Sequence, residues 1–341
     1  MYMKIAVDAY GGDHAPLEVL KGSVMAVQEL GVEVVLLGYE DEMRRVLKEH
    51  KLSDKGLHFV GTSEVIDIHE EPAAAVRTKK DSSMVVGLRM LREGKVDAFV
   101  SAGSTGALLA GATLITKRIK GVKRAALAPV LPTDNGGALL IDAGANTEVK
   151  PEYLYQFAVM GSIYMENILG RKNPKVGLLN NGSEDSKGTE LQLQAYQLMK
   201  DSTQFNFYGN VEGRGGPLGE VDVLVADGFT GNIFLKTMEG MGKMFSKNLK
   251  EMLFKSTKNK MAALMLKKDI EAFAKKMDYK EEGGAILMGI SKPVIKAHGS
   301  SDAKAFKNAI RQAKRIVEGR VVERITEEMT KASEQAEQAE G

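Results

Sequence analysis

The chain has 341 residues, 43% of them hydrophobic and 27% charged, and carries a formal net charge of +2. These ordinary globular values exclude wholesale disorder and a fibrous protein, and so even a charge balance gives no reason to expect a nucleic-acid partner. With no cysteine there is no disulfide, no thiolate metal site and no cysteine nucleophile, and five scattered histidines make no metal cage.

The opening residues Met3–Asp8 read as a buried strand rather than a basic-then-apolar leader, which together with the lack of any run of ~18 apolar residues predicts a cytoplasmic α/β enzyme. Ala15–Leu30 has helical spacing with Pro16 suited to the first turn. Val32–Leu37, Val96–Ser101, Ala138–Asp142, Lys175–Asn180 and Val221–Asp227 repeat the strand signal, each followed by a glycine-rich turn and a helical segment. Such alternation predicts an α/β fold with a doubly wound, mostly parallel sheet, over one large unit spanning 1–330. Between Phe234 and Tyr279 the alternation stops and helix takes over. Val294–Lys296 restores a strand, and a last helix leads into an acidic tail, 331–341, whose composition predicts fraying.

The turns after the strands carry the small polar residues, and in open α/β sheets ligands bind beyond strand carboxyl ends. The expectation is one composite site, although any single glycine could merely permit a tight turn. Asp8-Ala-Tyr-Gly11-Gly12-Asp13 lacks the third glycine of a dinucleotide fingerprint, and no GxxxxGK[ST] sequence occurs. Asp13 could serve a ligand or cap the following helix. Ser101-Ala-Gly103-Ser104-Thr105-Gly106 offers hydroxyls and successive N–H groups to an oxyanion or phosphate, without the order of a nucleophile elbow. Asp142-Ala-Gly-Ala-Asn146 and Asn181-Gly-Ser-Glu184-Asp-Ser-Lys187 continue the pattern. A lysine beside a helix N-terminus is unfavourable unless an anion shares the site, so Lys187 is the preferred phosphate ligand over a solvated surface lysine. Asp227-Gly-Phe-Thr-Gly-Asn232 and Lys296-Ala-His298-Gly-Ser-Ser301 complete the set, with His298 either a structural hydrogen-bonder or a catalyst.

These ordered segments resemble the PlsX family, the acyl-acyl-carrier-protein:phosphate acyltransferases of bacterial phospholipid synthesis. Further matches are Lys79-Lys80-x-Ser82-Ser83-Met84 and Ala128-Pro-x-Leu-Pro132, and the departures are Tyr10 for the usual Met and Ser104 for the usual Asn. The resemblance implies a fold like isocitrate and isopropylmalate dehydrogenases, shared with phosphate acetyltransferases, a homodimer, and transfer of a long acyl chain from acyl carrier protein to inorganic phosphate. It implies no cofactor or metal, and a membrane glycerol-3-phosphate acyltransferase as the consumer of the product. On chemical grounds phosphate attacks a thioester without a strong base, so the protein must hold it and stabilise an oxyanion. Lys187, His298, Asn232 and Asp227 are therefore the expected catalytic group. Asp8, Gly11, Gly12, Asp13, Ser101, Gly103, Ser104, Thr105, Gly106, Asp142, Asn146, Asn181 and Glu184 are the expected binding group.

Lys243–Lys280 holds eleven lysines against four acidic residues. Within it Met261, Leu264, Met265 and Leu266 are apolar around a helix, Lys267 and Lys268 follow, and Ile270, Phe273 and Met277 continue a stripe flanked by Lys275 and Lys276. The pattern predicts peripheral contact with the inner face of the cell membrane, against a dimer core or a landing site for the carrier protein. Rival functions are a short-chain phosphate acyltransferase using coenzyme A thioesters, a decarboxylating dehydrogenase, and a non-catalytic membrane-recruited scaffold.

Overall fold

The computed structural model describes residues 2–277 and 283–340. One eleven-stranded sheet runs through it in the order β3-β2-β1-β4-β11-β10-β5-β6-β9-β7-β8. On one flank lie β1 (Lys4–Asp8), β2 (Glu33–Gly38), β3 (Leu57–Gly61), β4 (Ala98–Ser101) and β11 (Val294–Lys296), all mutually parallel. On the other lie β6 (Ala138–Ile141), β7 (Lys175–Asn180), β8 (Asn206–Glu212) and β9 (Val223–Val225), again parallel to one another. Two central strands join them: β10 (Ala285–Met288), antiparallel to both neighbours, and β5 (Ala126–Leu131), antiparallel to β6.

The sheet is therefore mostly parallel, as the alternation predicts, but its two flanks run in opposite directions. Strand carboxyl ends of the β6–β9–β7–β8 flank leave the sheet on the edge opposite to those of β1, β4 and β11. The glycine turns therefore leave the sheet on two edges, and turns from both flanks, those after β4 and β11 and those after β6 and β9, reach one cavity. Four strands are missing from the sequence reading, the outer β3 and β8 and the two joining strands, where Pro129 interrupts β5 and β10 is four residues long after two glycines.

Strand side chains alternate between two cores. Ile5, Val7, Val34, Leu36, Ala98 and Val100 face one, together with Leu20, Phe157, Phe306 and Ile310 from the helices α1 (Leu17–Leu30), α6 (Pro151–Leu169) and α12 (Ala303–Glu318). Ala6, Val35, Leu37 and Phe99 face the other, covered by α3 (Pro72–Thr78), α4 (Ser83–Arg92) and α5 (Thr105–Gly111). Helices α1 and α12 cross closely because Gly22 leaves room: a Cβ there would lie 2.7 Å from the Ala303 carbonyl. Glu18 strengthens that crossing by accepting the Ala303 N–H at 2.9 Å. Helix α13 (Val321–Glu340) carries the tail, whose side chains beyond Lys331 lie outside the described residues.

A helical arm leaves this body. Helix α9 (Gly228–Phe254) buries only Gly228 and Gly231, and α10 (Thr257–Met265) buries nothing. At 1.5 Å per residue α9 is about 40 Å long. Helix α11 (Lys267–Met277) returns along it, bringing Phe273 to 5.9 Å from Phe245 between ring centroids. Met261, Leu264 and Met265 at the tip are 64%, 74% and 86% exposed, which is costly for a lone arm in water. The side chains of Lys275, Lys276 and Met277 lie outside the described residues. No helix among the described residues is long and apolar enough to cross a membrane.

Candidate functional site

A cavity of about 350 Å³ opens where the two flanks meet, over β5 and β10. Leu127, Pro129, Val130, Leu131 and Ala285 give it an apolar floor. One wall is the loop after β11, with Lys296, His298, Gly299 and Ser301, joined by Thr105 at the start of α5. The facing wall is the Ala143-Gly144 turn after β6 and the first turns of α9, with Asn232, Leu235, Lys236 and Glu239.

The first wall is assembled by three loops in contact. The Asp13 N–H donates to the Gly299 carbonyl at 2.8 Å, and the Ala297 N–H to Ser101 at 2.9 Å. Gly11 sits where a Cβ would come within 2.6 Å of the Gly103 nitrogen, and Gly12 has φ +100° beside the Gly299 carbonyl. The glycines expected to admit a ligand instead admit neighbouring backbone. Gly106 instead admits a side chain, with the Pro72 ring 2.7 Å from the position of its missing Cβ.

Asp8 lies beneath this wall, not in it. Its carboxylate accepts from Ser83 Oγ and Ser101 Oγ, both at 2.7 Å, and from the Tyr10 N–H at 3.2 Å. Burial pushes its carboxyl above the usual carboxylate range, against the pull of those donors. Ser101 also accepts the Gly103 N–H at 3.0 Å, so its hydroxyl is occupied. Ser104 caps α5 through Ala107 N, which leaves Thr105 as the hydroxyl of this segment that reaches the cavity. Asp13 does not cap α1, which has no side-chain cap; it is exposed beside Gly299.

The second wall hangs on Asp142. Its two oxygens accept the backbone N–H groups of Leu127, Gly144, Ala145 and Asn146 at 2.7–3.1 Å, and Asn146 Nδ2 at 2.8 Å. Asn146 spends its other amide hydrogen on the Ala125 carbonyl at 2.7 Å. Both residues, expected to bind substrate, are braces that shape the turn. Asp227 is the cap of α9, accepting from Thr230 N at 2.8 Å and Thr230 Oγ1 at 2.7 Å. It fixes Asn232 through the helix rather than by touching it.

Four titratable side chains reach the cavity. Lys236 pairs with Glu239 at 2.9 Å. His298 accepts the Ser300 N–H at Nδ1, 3.1 Å away, with Ser300 Oγ at 2.9 Å; an accepting Nδ1 puts the ring proton on Nε2. Burial holds its imidazole below the usual histidine value, and Lys236, Lys296 and Lys243 push the same way against Glu239. Lys296 donates to the carbonyls of Ala102, at 3.3 Å, and Ala297. Burial pushes its ammonium down to about 8, while Asp8 and Asp13 oppose that shift.

Lys187 is placed differently from the expectation. It is exposed in the loop after β7, stacked over Gly182 with Glu184 beside it, and neither these residues nor Asn181 belong to the cavity wall. That loop is on the α9 side, one strand beyond β9 and two beyond β6, roughly 10 Å from the β6 turn at ~5 Å per strand. Capping of α7 (Glu190–Lys200) falls to Thr189 and Gln192. Lys236 and Glu239 are passed over by sequence reasoning, and Lys296 and Ser301 are named within the His298 segment without a role. The available signal was Lys296 itself, a cation closing the apolar strand Val294-Ile295. Among the described residues no group of three or more His, Asp or Glu is placed to hold a metal ion.

This fold is shared with solved phosphotransacetylases and a 4-hydroxythreonine-4-phosphate dehydrogenase. EutD phosphotransacetylase from Staphylococcus aureus matches with a TM-score of 0.62 at 17% identity, over 92% of this chain and 94% of that one. A 4-hydroxythreonine-4-phosphate dehydrogenase from Klebsiella pneumoniae matches with a TM-score of 0.54 at 14% identity, over 93% and 100%. The family described as "Fatty acid synthesis protein" matches residues 3–324. Within it, the "Phosphate acyltransferase" of Thermoanaerobacterium thermosaccharolyticum is 52% identical over 327 residues, 96% of this chain and 97% of that protein. The chain belongs to this family of phosphate acyltransferase enzymes.

Proposed function

We propose that the enzyme moves a fatty acyl group from the thioester of acyl carrier protein to inorganic phosphate, giving an acyl phosphate for phospholipid synthesis. The observation that carries this reading is the cavity itself, an apolar floor between two polar walls that include two lysines and a histidine. An acyl chain suits the floor, and a tetrahedral anion suits the walls.

In the reaction a phosphate oxygen forms a bond to the thioester carbonyl carbon, and the carbonyl electrons move onto its oxygen. Collapse of that tetrahedral species breaks the C–S bond and releases a thiolate, which takes a proton. Phosphate needs no deprotonation to attack, so the protein's contribution is orientation and charge stabilisation. Thr105 Oγ1, Asn232 Nδ2 and the Nε2–H of His298 are the donors suited to the developing oxyanion. The lowered proton affinity of His298 keeps its ring neutral and directional near pH 7.

The arm supports release of the product at a bilayer. Met261, Leu264, Met265 and Leu266 are exposed at its tip, and Lys267 and Lys268 are exposed beside them, a combination of apolar insertion and attraction to anionic lipid. The exposed stem residues Ile233, Met241, Met244 and Phe245 support pairing with a second copy, giving the homodimer. A membrane glycerol-3-phosphate acyltransferase then consumes the product. A short-chain reaction with coenzyme A thioesters is favoured by the phosphotransacetylase likeness but leaves the apolar tip without a purpose.

The test is thiol release from purified protein given acyl carrier thioester and inorganic phosphate. Release that depends on phosphate, with the carrier thioester preferred over acetyl-coenzyme A, is expected. Release without phosphate, or none with either thioester, refutes the proposal.

A further inference from the structure

We propose that Lys296 is the group that receives the phosphate, through the one ammonium hydrogen left without an acceptor among the described residues. The inference rests on the phosphate acyltransferase reading and replaces Lys187 as the anion's principal contact.

An ammonium has three hydrogens. Those of Lys296 meet two partners, the carbonyls of Ala102 and Ala297, in the structured wall formed by the loops after β4 and β11. A third has no acceptor among the described residues, while the side chain itself lines the cavity. A partly buried N–H without a partner carries a desolvation penalty that a bound anion removes. The two carbonyls fix the ammonium's position, so a phosphate oxygen meets a preorganised donor and not a mobile surface lysine.

Charge is the second part. The groups facing Lys296 are Asp8 from β1, Asp13 from the loop after it, Lys236 from α9 and His298 two residues on. Asp8 is the acid beneath the wall, its oxygens held by Ser83 and Ser101 and by the Tyr10 N–H. Among the described residues neither Asp8 nor Asp13 forms an ion pair with Lys296, so both oppose loss of its proton without taking its free hydrogen. Burial works against the charge, which places the proton's loss near pH 8 in the absence of ligand. The step itself moves no proton through Lys296: the ammonium holds the phosphate while the phosphate oxygen attacks.

Three variants and one titration test this. Calorimetry with inorganic phosphate reads binding directly, so it decides the role of Lys296 even if thiol release fails and the functional reading with it. Lys296→Met is expected to weaken phosphate binding and raise the phosphate KM roughly 10- to 100-fold, the loss of one charged hydrogen bond, with the thioester KM changed far less. In the wild type kcat/KM for phosphate should fall with unit slope as pH rises above about 8. In Lys296→Arg, whose guanidinium stays charged, that alkaline limb should vanish. Lys187→Ala is the comparison. Phosphate binding unchanged in Lys296→Met, or weakened only in Lys187→Ala, overturns the proposal. Should Lys296→Met not fold, the decision passes to the arginine variant, where a persistent alkaline limb overturns it equally.

Discussion

Replacing Gly231 by alanine tests whether the α9 wall is held in register by backbone contact. Gly231 is in the first turn of α9, and a Cβ built there would lie 1.9 Å from the Asp142 carbonyl oxygen and 3.0 Å from its carbon. Backbone cannot swing aside as a flexible side chain can. The helix start must therefore retreat from the β6 turn by about 1 Å before the contact reaches 3.0 Å. Asn232 and Lys236 ride on that turn and the next, so the retreat widens the cavity between its two walls. Strain of this kind costs about 1–3 kcal/mol of stability, and a misplacement of ~1 Å in a catalytic donor costs up to roughly 100-fold in rate. Phosphate-dependent thiol release should fall 10- to 100-fold by this estimate, mainly in kcat, with the melting temperature lowered by a few degrees. The control is on the same helix: Gly240 has nothing within 4 Å of its missing Cβ, and Gly240→Ala should leave kcat unchanged and stabilise the arm by about 0.5–1 kcal/mol. Gly231→Ala with wild-type kcat and melting temperature would refute the claim that the two walls are mechanically coupled here.

Other outcomes follow from the same geometry. Asp142→Asn puts an amide where five donors converge, so at least one buried N–H loses its acceptor; denaturant titration should show a loss of about 2–4 kcal/mol. Glu18 is held below the usual carboxylate range by Lys21, helped by the Ala303 N–H. A depressed acid stabilises the fold fully above its unfolded value of 4.5 and loses that contribution as pH falls through its lower folded value. The stability gap between wild type and Glu18→Gln should accordingly be constant near neutrality and close under acid, and a gap that widens on acidification contradicts the assignment. Leu264→Glu should lower sedimentation with anionic liposomes at least tenfold by burial of one leucine, about 1.5–3 kcal/mol, while thiol release in solution stays within roughly twofold.

The sequence by itself determined the strands that read as apolar runs. Of these, β1, β2, β4, β6, β7, β9 and β11 fall within a residue or two of the expected segments, because a strand buried on both faces must be apolar throughout. The ordered segments likewise carried the family, which is a property of the chain's order and needs no coordinates. Sequence also marked the arm, since a lysine-rich helix with a methionine and leucine end has no core to belong to.

Only the tertiary structure decided which turns share a cavity. Strand direction and order are set by pairing through contacts distant in sequence: the turns after β6 and β9 line the cavity, while the Asn180–Gly188 turn follows β7, two strands beyond β6, and is not part of its wall. Composition could not separate a carboxylate that binds from one that braces, because Asp8, Asp142 and Asp227 differ only in the donors that surround them. For the same reason Lys187 and Lys296 look alike as letters. What distinguishes them is burial and a fixed set of acceptors, and those exist only once the loops after β1, β4 and β11 have come together.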